Sequence, residues 1–588
     1  MKRLHTFCFV IFLTLLTVFT VDARPLPTTV SDDKDPLKDD SIKICTPLTS
    51  KGNFLTNVLG KLLNLPKMVK ISEVGFLFTA LSMDAFQVAA GDPKNFQTSV
   101  VLPYLLKSKE MQDSLKLRRT ARQIKFQVVR DMLKKVPKLT EEDKKGILNF
   151  LSQQVGAPVV MLDKSPLPSF LPQPGPCMIP IGVEIVDAKS GQRVGLETSV
   201  ICLVDIDADG KKLFSVKDAQ DNDTLDIVLG HENAHGIMFD MYGRAFSAIQ
   251  RVSTAGHDAP YITDLGLSYI EGWAEAFEAV YGPANPKLSE KDRKKYNISD
   301  FLFGRQDPIR RDRYIWAKYF GKKTGVLKNG LQLMATEGVV AGQFYDILTS
   351  KSISGAFEKC VTVMLLLQPQ SYMDFIKGFA QMFPDDKRVV YRIMLEGLNY
   401  VPMDKKAASL YFDYYQAKLN FVQKKGPKET LEKAKKTFVD FKEDLFKKAM
   451  AGGDVFANVG PQLWFSGKVT LKNEESLSLK EKIAKKFGKD PNVWEFNLDL
   501  NTVTRKILKA IFVEEADADK IVAEREKRGF FTGDPLKIMD QLIGSAKFGA
   551  LKTKIGLKPY EPQANSKPEK QTITLWPEDV ERFNVAGE

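Results

Sequence analysis

The chain has 588 residues, 44% of them hydrophobic, and carries 85 Lys and Arg against 73 Asp and Glu, a formal net charge of +12. That length supports several modules with ample core. The cationic excess reads as solvated helix faces, with weak binding to anionic surfaces as the other use for it; no nucleic-acid motif accompanies it, so nucleic acid is not an expected partner.

Taken in order, Lys2 and Arg3 precede an apolar run over residues 6–21, and Val21-Asp22-Ala23 offers small residues for cleavage. Residues 1–23 therefore read as a signal peptide, and the mature protein is expected to be secreted, extracellular or periplasmic. No later stretch approaches the ~18 apolar residues of a membrane span. Residues 24–44 are polar and contain proline, and are expected to be a disordered lead or short pro-segment. Residues 45–164 read as a helical N-terminal region in which Thr140-Glu141-Glu142-Asp143 resembles a capping box. The proline-rich stretch 165–180 is taken as a domain boundary, opening a catalytic domain over 165–400. There, Ile181 to Val186 with Arg193 to Leu196, and Val200 to Ile206 with Lys212 to Val216, flank two turns. They predict a small antiparallel sheet over about 180–217. Helices are predicted over about 223–242 and 265–281. Residues 401–588 read as a helical C-terminal region, with a short hairpin in 451–470. The expected class is α+β, mostly helical, with the sheet packed on an active-site helix.

Two features of this stretch have ordinary readings. Asp205-Ile206-Asp207-Ala208-Asp209-Gly210 opens like a calcium loop, but Val216 stands where a bidentate glutamate belongs, so it reads as a hairpin turn. After signal cleavage four cysteines remain, Cys45, Cys177, Cys202 and Cys360, none in C-x-x-C spacing. Cys177 and Cys202 both lie in strand-like sequence and are the first pair expected to join. A Cys45 thiolate near the new N-terminus would be the one candidate to cap a metal.

The most informative segment is His231-Glu232-Asn233-Ala234-His235, which holds two of the four histidines in the whole chain. In a helix, positions i and i+4 share one face, so both imidazoles can reach one ion. Glu232, one position round, can reach a metal-bound water instead. Gly243 is a plausible helix stop. A third ligand is needed. The position six residues after His235 is Met241, which excludes the metzincin pattern. The helix at 265–281 carries Glu271, Glu275 and Glu278 on one stripe beside the apolar stripe Ile270, Ala274, Phe277 and Tyr281. Glu271 is the leading ligand; Glu275, His257, Asp258 and Asp264 are the alternatives.

At these residues the chain resembles the gluzincins, the thermolysin- and aminopeptidase-like clan of zinc peptidases. The match lies in H-E-x-x-H at 231–235 and in Glu271, Gly272 and Ala274, and covers roughly residues 180–282. The resemblance implies Zn2+ held by His231, His235 and Glu271, and an acidic residue one turn later, Glu275, orienting a zinc histidine. There are departures: 35 residues separate His235 from Glu271, Ile270 stands where an asparagine is usual, and there is no glycine-alanine-methionine-glutamate-asparagine exopeptidase motif. The branch and the substrate preference therefore do not carry over.

The expected activity is hydrolysis of a peptide or protein substrate, with Glu232 as general base and His257 as an oxyanion donor, a role for which Tyr261 and Tyr345 are the alternatives. Two other readings stand beside it. One is an inactive binding or scaffold protein on a zincin fold. The other is a zinc hydrolase of non-peptide amides or esters.

Overall fold

A computed structural model describes residues 42–47, 87–90, 97–163, 176–179, 183–186, 193–196, 199–203, 225–249, 259, 262–281, 316–317, 326–470, 493–503, 505, 508, 513–555 and 558–559. The described chain is mostly helical, with a small mixed sheet.

Seven strands form that sheet: β1 (Ile42–Pro47), β2 (Gln87–Ala90), β3 (Val159–Leu162), β4 (Cys177–Ile179), β5 (Val183–Val186), β6 (Arg193–Leu196) and β7 (Val200–Cys202). Their order is β4-β7-β3-β1-β2-β5-β6. The β5–β6 hairpin is present as the alternation predicts. The sheet as a whole is not antiparallel, because β1–β3, β2–β5 and β3–β7 run parallel. Three of its strands come from before the proline-rich stretch. The sheet thus draws strands from both sides of residues 165–180. Residues 42–44, expected in the disordered lead, belong to β1 near the middle of the sheet. All four residues of β3, Val-Val-Met-Leu, are buried, as a central strand covered on both faces requires. The signal segment, the calcium-like loop and Lys212 to Val216 lie outside the described residues.

The helices α1 (Leu102–Lys107), α2 (Lys109–Leu133) and α3 (Glu141–Val155) separate β2 from β3. Thr140 and Asp143 make the reciprocal capping box at the start of α3. Next come α4 (Leu225–Tyr242) and α5 (Leu265–Tyr281), both where the periodicity places them. Gly243 adopts a left-handed φ of 55° and ends α4 in a 3-10 turn, Gly243–Ala248. A two-residue ladder, β8 (Trp316–Ala317) with β9 (Val326–Leu327), precedes α6 (Gly330–Met334), α7 (Glu337–Leu348), α8 (Ala356–Leu367), α9 (Tyr372–Met382), α10 (Lys387–Gly397), α11 (Lys405–Val422) and α12 (Lys428–Met450). The last part holds β10 (Trp464–Thr470), β11 (Val493–Asp499), α13 (Glu515–Arg528), α14 (Pro535–Ile543), α15 (Ser545–Ile555) and β12 (Lys558–Pro559). The strand within 451–470 is real, but its partners are β11 and β12 rather than a neighbour in a short hairpin. Among the described residues no helix is long and apolar enough to cross a membrane.

The main core gathers α4, α5 and α7 to α10 around fully buried Trp273 and Phe344, whose rings meet edge to face at 5.4 Å. Beneath α4, the side chains of β1, β3 and β7 meet those of α1 and α2 in a second core. Between α2 and α4 the apolar contact is joined by an ionic cluster. Arg118 donates from Nε and Nη2 to Asp240 at 2.7 and 3.2 Å, and Arg122 donates from Nε to the same carboxylate at 2.7 Å. All three side chains are buried. Burial alone would raise the Asp240 pKa, but the two guanidiniums outweigh it and hold the value at about 2. Arg118 also lies so close to α4 that a Cβ on Gly236 would fall 2.5 Å from its Nη1. Glycine is the residue that lets the network seat there.

This cluster generates a stability prediction. Replacing Asp240 with Asn strands two buried guanidiniums, so Asp240→Asn should lower unfolding free energy by about 3–5 kcal/mol in denaturant titrations. The carboxylate's own contribution is complete above its ordinary pKa of 3.8 and is lost as pH falls through about 2. The gap between Asp240→Asn and the native protein should accordingly close in strong acid.

Candidate metal centre

The site is built on α4, which is buried on almost every side. Its rotation is fixed by two of the three residues inside the pentapeptide. Asn233 donates to Ser114 Oγ at 2.7 Å and accepts from Arg118 Nη1 at 3.1 Å, which ties it to α2. The carbonyl of Ala234 accepts from Trp273 Nε1 at 3.1 Å, which ties it to α5. With those faces engaged, His231 and His235 turn toward α5 near Glu271. Gly272 sits where α7 crosses α5. A Cβ there would fall 2.8 Å from the Val340 side chain, so the close helix contact that carries Glu271 needs glycine.

Three atoms converge. His231 Nε2 and His235 Nε2 are 3.1 Å apart, and one Glu271 carboxylate oxygen lies 3.3 Å from the first and 3.1 Å from the second. A tetrahedral ion with bonds of ~2.05 Å spaces its ligands by about 3.3 Å, so this triangle has the size of one face of such a site. The chemistry agrees. Glu278 faces His231 Nδ1 at 3.0 Å. A carboxylate there fixes the proton on Nδ1 and leaves Nε2 as a bare acceptor. In the singly protonated ring that lone pair meets a carboxylate oxygen and a second imidazole nitrogen, a contact that either a proton or a metal ion between them relieves. Burial disfavours a charged His231, but Glu271 and Glu278 outweigh burial and raise its proton affinity well above the ordinary histidine value. His231, His235 and Glu271 could therefore hold a metal ion, and they are the one such group among the described residues.

Glu232 lies beside this triangle, buried. Burial raises its pKa, and the two histidines and the Met178 amide pull it back. Met178, on the terminal strand β4, donates its backbone N–H to Glu232 at 2.6 Å.

The structure redistributes several sequence assignments. The carboxylate on His231 is that of Glu278, not Glu275. His235 Nδ1 is buried with no hydrogen-bond partner among the described residues, so Glu275 orients neither ring there. The helix period explains the difference: Glu278, seven residues on, lies about 20° from the direction of Glu271, whereas Glu275 lies about 40° away. Asp264 is no ligand. It caps α5, accepting from the amides of Gly266 and Leu267 at 3.0 and 2.8 Å. Tyr345 packs against the main core. His257, Asp258 and Tyr261 lie outside the described residues. Cys45 is buried in β1, and burial pushes its thiol up to about 12, which removes it as a thiolate cap. The Arg118 network and the Met178 amide had no signal in a motif search; both arise from elements far away in sequence.

No protein-family model, curated protein or solved structure matches the chain.

Metal affinity tests the triangle directly. Equilibrium dialysis should show binding of a divalent ion that Glu271→Ala abolishes. Glu278→Gln should weaken binding by about 10–100-fold while leaving helix content intact. Affinity should fall on acidification in the native protein, because protons compete for both imidazoles.

Proposed function

We propose that the chain is an exported zinc-dependent peptidase of gluzincin type. The observation that carries this reading is the convergence of two imidazole nitrogens and one carboxylate oxygen beside a separate buried carboxylate, that of Glu232. A scaffold needs the first set only if metal is structural, and structural zinc sites are closed by a fourth protein ligand. Among the described residues the group stops at three, which is the donor count of a hydrolytic site. The donor set, imidazole and carboxylate without thiolate, suits zinc in a catalytic setting.

Zinc bound to His231, His235 and Glu271 would supply a Lewis acid that polarises a carbonyl and acidifies water near neutral pH. The protein's own groups do the rest. Glu278 holds the Nδ1 proton of His231 and so presents Nε2 in the basic form. Glu232 receives the proton of the attacking water and delivers it to the leaving amine. Its burial raises its basicity, and the Met178 amide fixes one of its oxygens, which leaves the other free of that contact. Trp273 and the Arg118 network hold the two helices at the spacing that keeps these groups in register.

Glu232→Gln is the decisive variant. It should retain native metal content and lose about 10²–10⁴-fold in cleavage rate on a peptide library. Cleavage at the native rate would remove Glu232 as base. A native protein that binds zinc and leaves peptides intact, but turns over non-peptide amides or esters, would reassign the substrate class. Metal binding with no turnover of either class would favour the scaffold.

A further inference from the structure

Four thiols lie among the described residues, and two of them face each other. Cys177 on β4 and Cys202 on β7 are direct partners in the antiparallel register. Opposed residues in such a ladder have Cα atoms about 4.5–5.5 Å apart. A disulfide spans about 4.4–6.8 Å. The other two thiols have no such neighbour in their registers or cores: Cys45 stands opposite Ala90 and Leu162, and Cys360 is buried in the main core. Cys177 is the only one of the four that is not fully buried.

The strand that Cys177 belongs to has a second attachment. β4 is three residues long and terminal in the sheet. In an antiparallel ladder alternate residues turn their N–H groups away from the partner strand. Met178 does so, and its N–H reaches Glu232. The short strand is thus gripped on one edge by β7 and on the other by a single carboxylate. Short terminal strands with few ladder bonds sit at the low end of local stability.

We infer that Cys177 and Cys202 form a disulfide that fixes β4 against β7 and so keeps the Met178 amide on Glu232. The cross-link stands on the register alone; its consequence for catalysis rests on the reading of Glu232 as the base. The oxidant is a low-molecular-weight disulfide. One cysteine thiolate attacks it and releases the first small thiol, and the other cysteine then attacks the mixed disulfide and releases the second. Two protein S–H bonds and the oxidant's S–S bond break, and one protein S–S bond and two small-thiol S–H bonds form. The Cys202 contact and burial both push the Cys177 thiol well up, so exchange is fastest before the sheet closes. The bond belongs to the folding chain.

The test is to refold the full chain with a mixture of reduced and oxidised glutathione, and separately under reduction, then alkylate and map the peptides. Oxidative refolding should yield one cross-linked peptide joining Cys177 to Cys202, with Cys45 and Cys360 still alkylated on denaturation. Amide exchange in the peptide containing residues 177–179 should be about tenfold slower in the oxidised form than in the reduced form. Cys177→Ser, whose side chain is only partly buried and which should refold even if Cys202→Ser does not, should exchange at the reduced rate under both conditions. Free Cys177 and Cys202 after oxidative refolding, pairing of either with another cysteine, or equal exchange in the two forms would each overturn the proposal. None of these readouts depends on metal or on peptide cleavage, so they stand apart from any failure of the peptidase reading.

Discussion

The two guanidiniums on Asp240 set the geometry on which the site depends. A helix that presents His231 and His235 on one face, Glu232 beside them and packing on all the others has no exposed side to absorb error. Arg118 and Arg122 fix it from α2, through Asp240 near its C-terminal end and through Asn233 between the histidines. Trp273 fixes it from α5 by binding the Ala234 carbonyl. Such contacts cost desolvation and return little net stability, but they leave one rotation and one depth for the helix. Two of the three residues between the histidines are therefore structural: Asn233 and Ala234 are the points at which neighbouring elements take hold.

The electrostatics follow the same division. On the α2 side of α4, two cations outnumber one carboxylate. On the α5 side, Glu271, Glu278 and Glu232 surround two histidines, and negative charge is in excess. Buried negative charge in excess is unfavourable unless a cation joins it. That imbalance raises the proton affinity of His231 and would favour a divalent ion in the same place. One helix thus separates a cluster with cations in excess, which holds the fold, from one with carboxylates in excess, which could take a cation.

Much of the centre was legible in the sequence, and the reason is locality. His231, Glu232 and His235 are related by a single helical period. Glu271 lies on the next long amphipathic helix, with Gly272 marking a close crossing. Glu278 was visible as a member of the same stripe, and the helical period brings it nearer to the direction of Glu271 than Glu275, but the family pattern of an acidic residue one turn after the ligand pointed to Glu275 instead. The sheet was legible only where its pairing is local, in the β5–β6 hairpin. β1, β2 and β3 pair in parallel with strands up to more than a hundred residues away, and such contacts leave no spacing signature. Buried Arg118 looked like one more cation on a long polar helix, because its partners are on α4 and beside β7.

The place of β1 also sets a schedule. Residues Ile42–Pro47 are made early, yet one of the strands they lie between, β3, begins at Val159. A chain elongating at ~5–20 residues per second therefore leaves this apolar strand without its parallel neighbour for on the order of ten seconds. During that interval Ile42 and Ile44 have no sheet to enter, and pairing over so long a separation is slow in any case. Synthesis of this protein thus includes a vulnerable interval set by topology, in which a holding factor or rapid delivery of the following segment separates folding from aggregation.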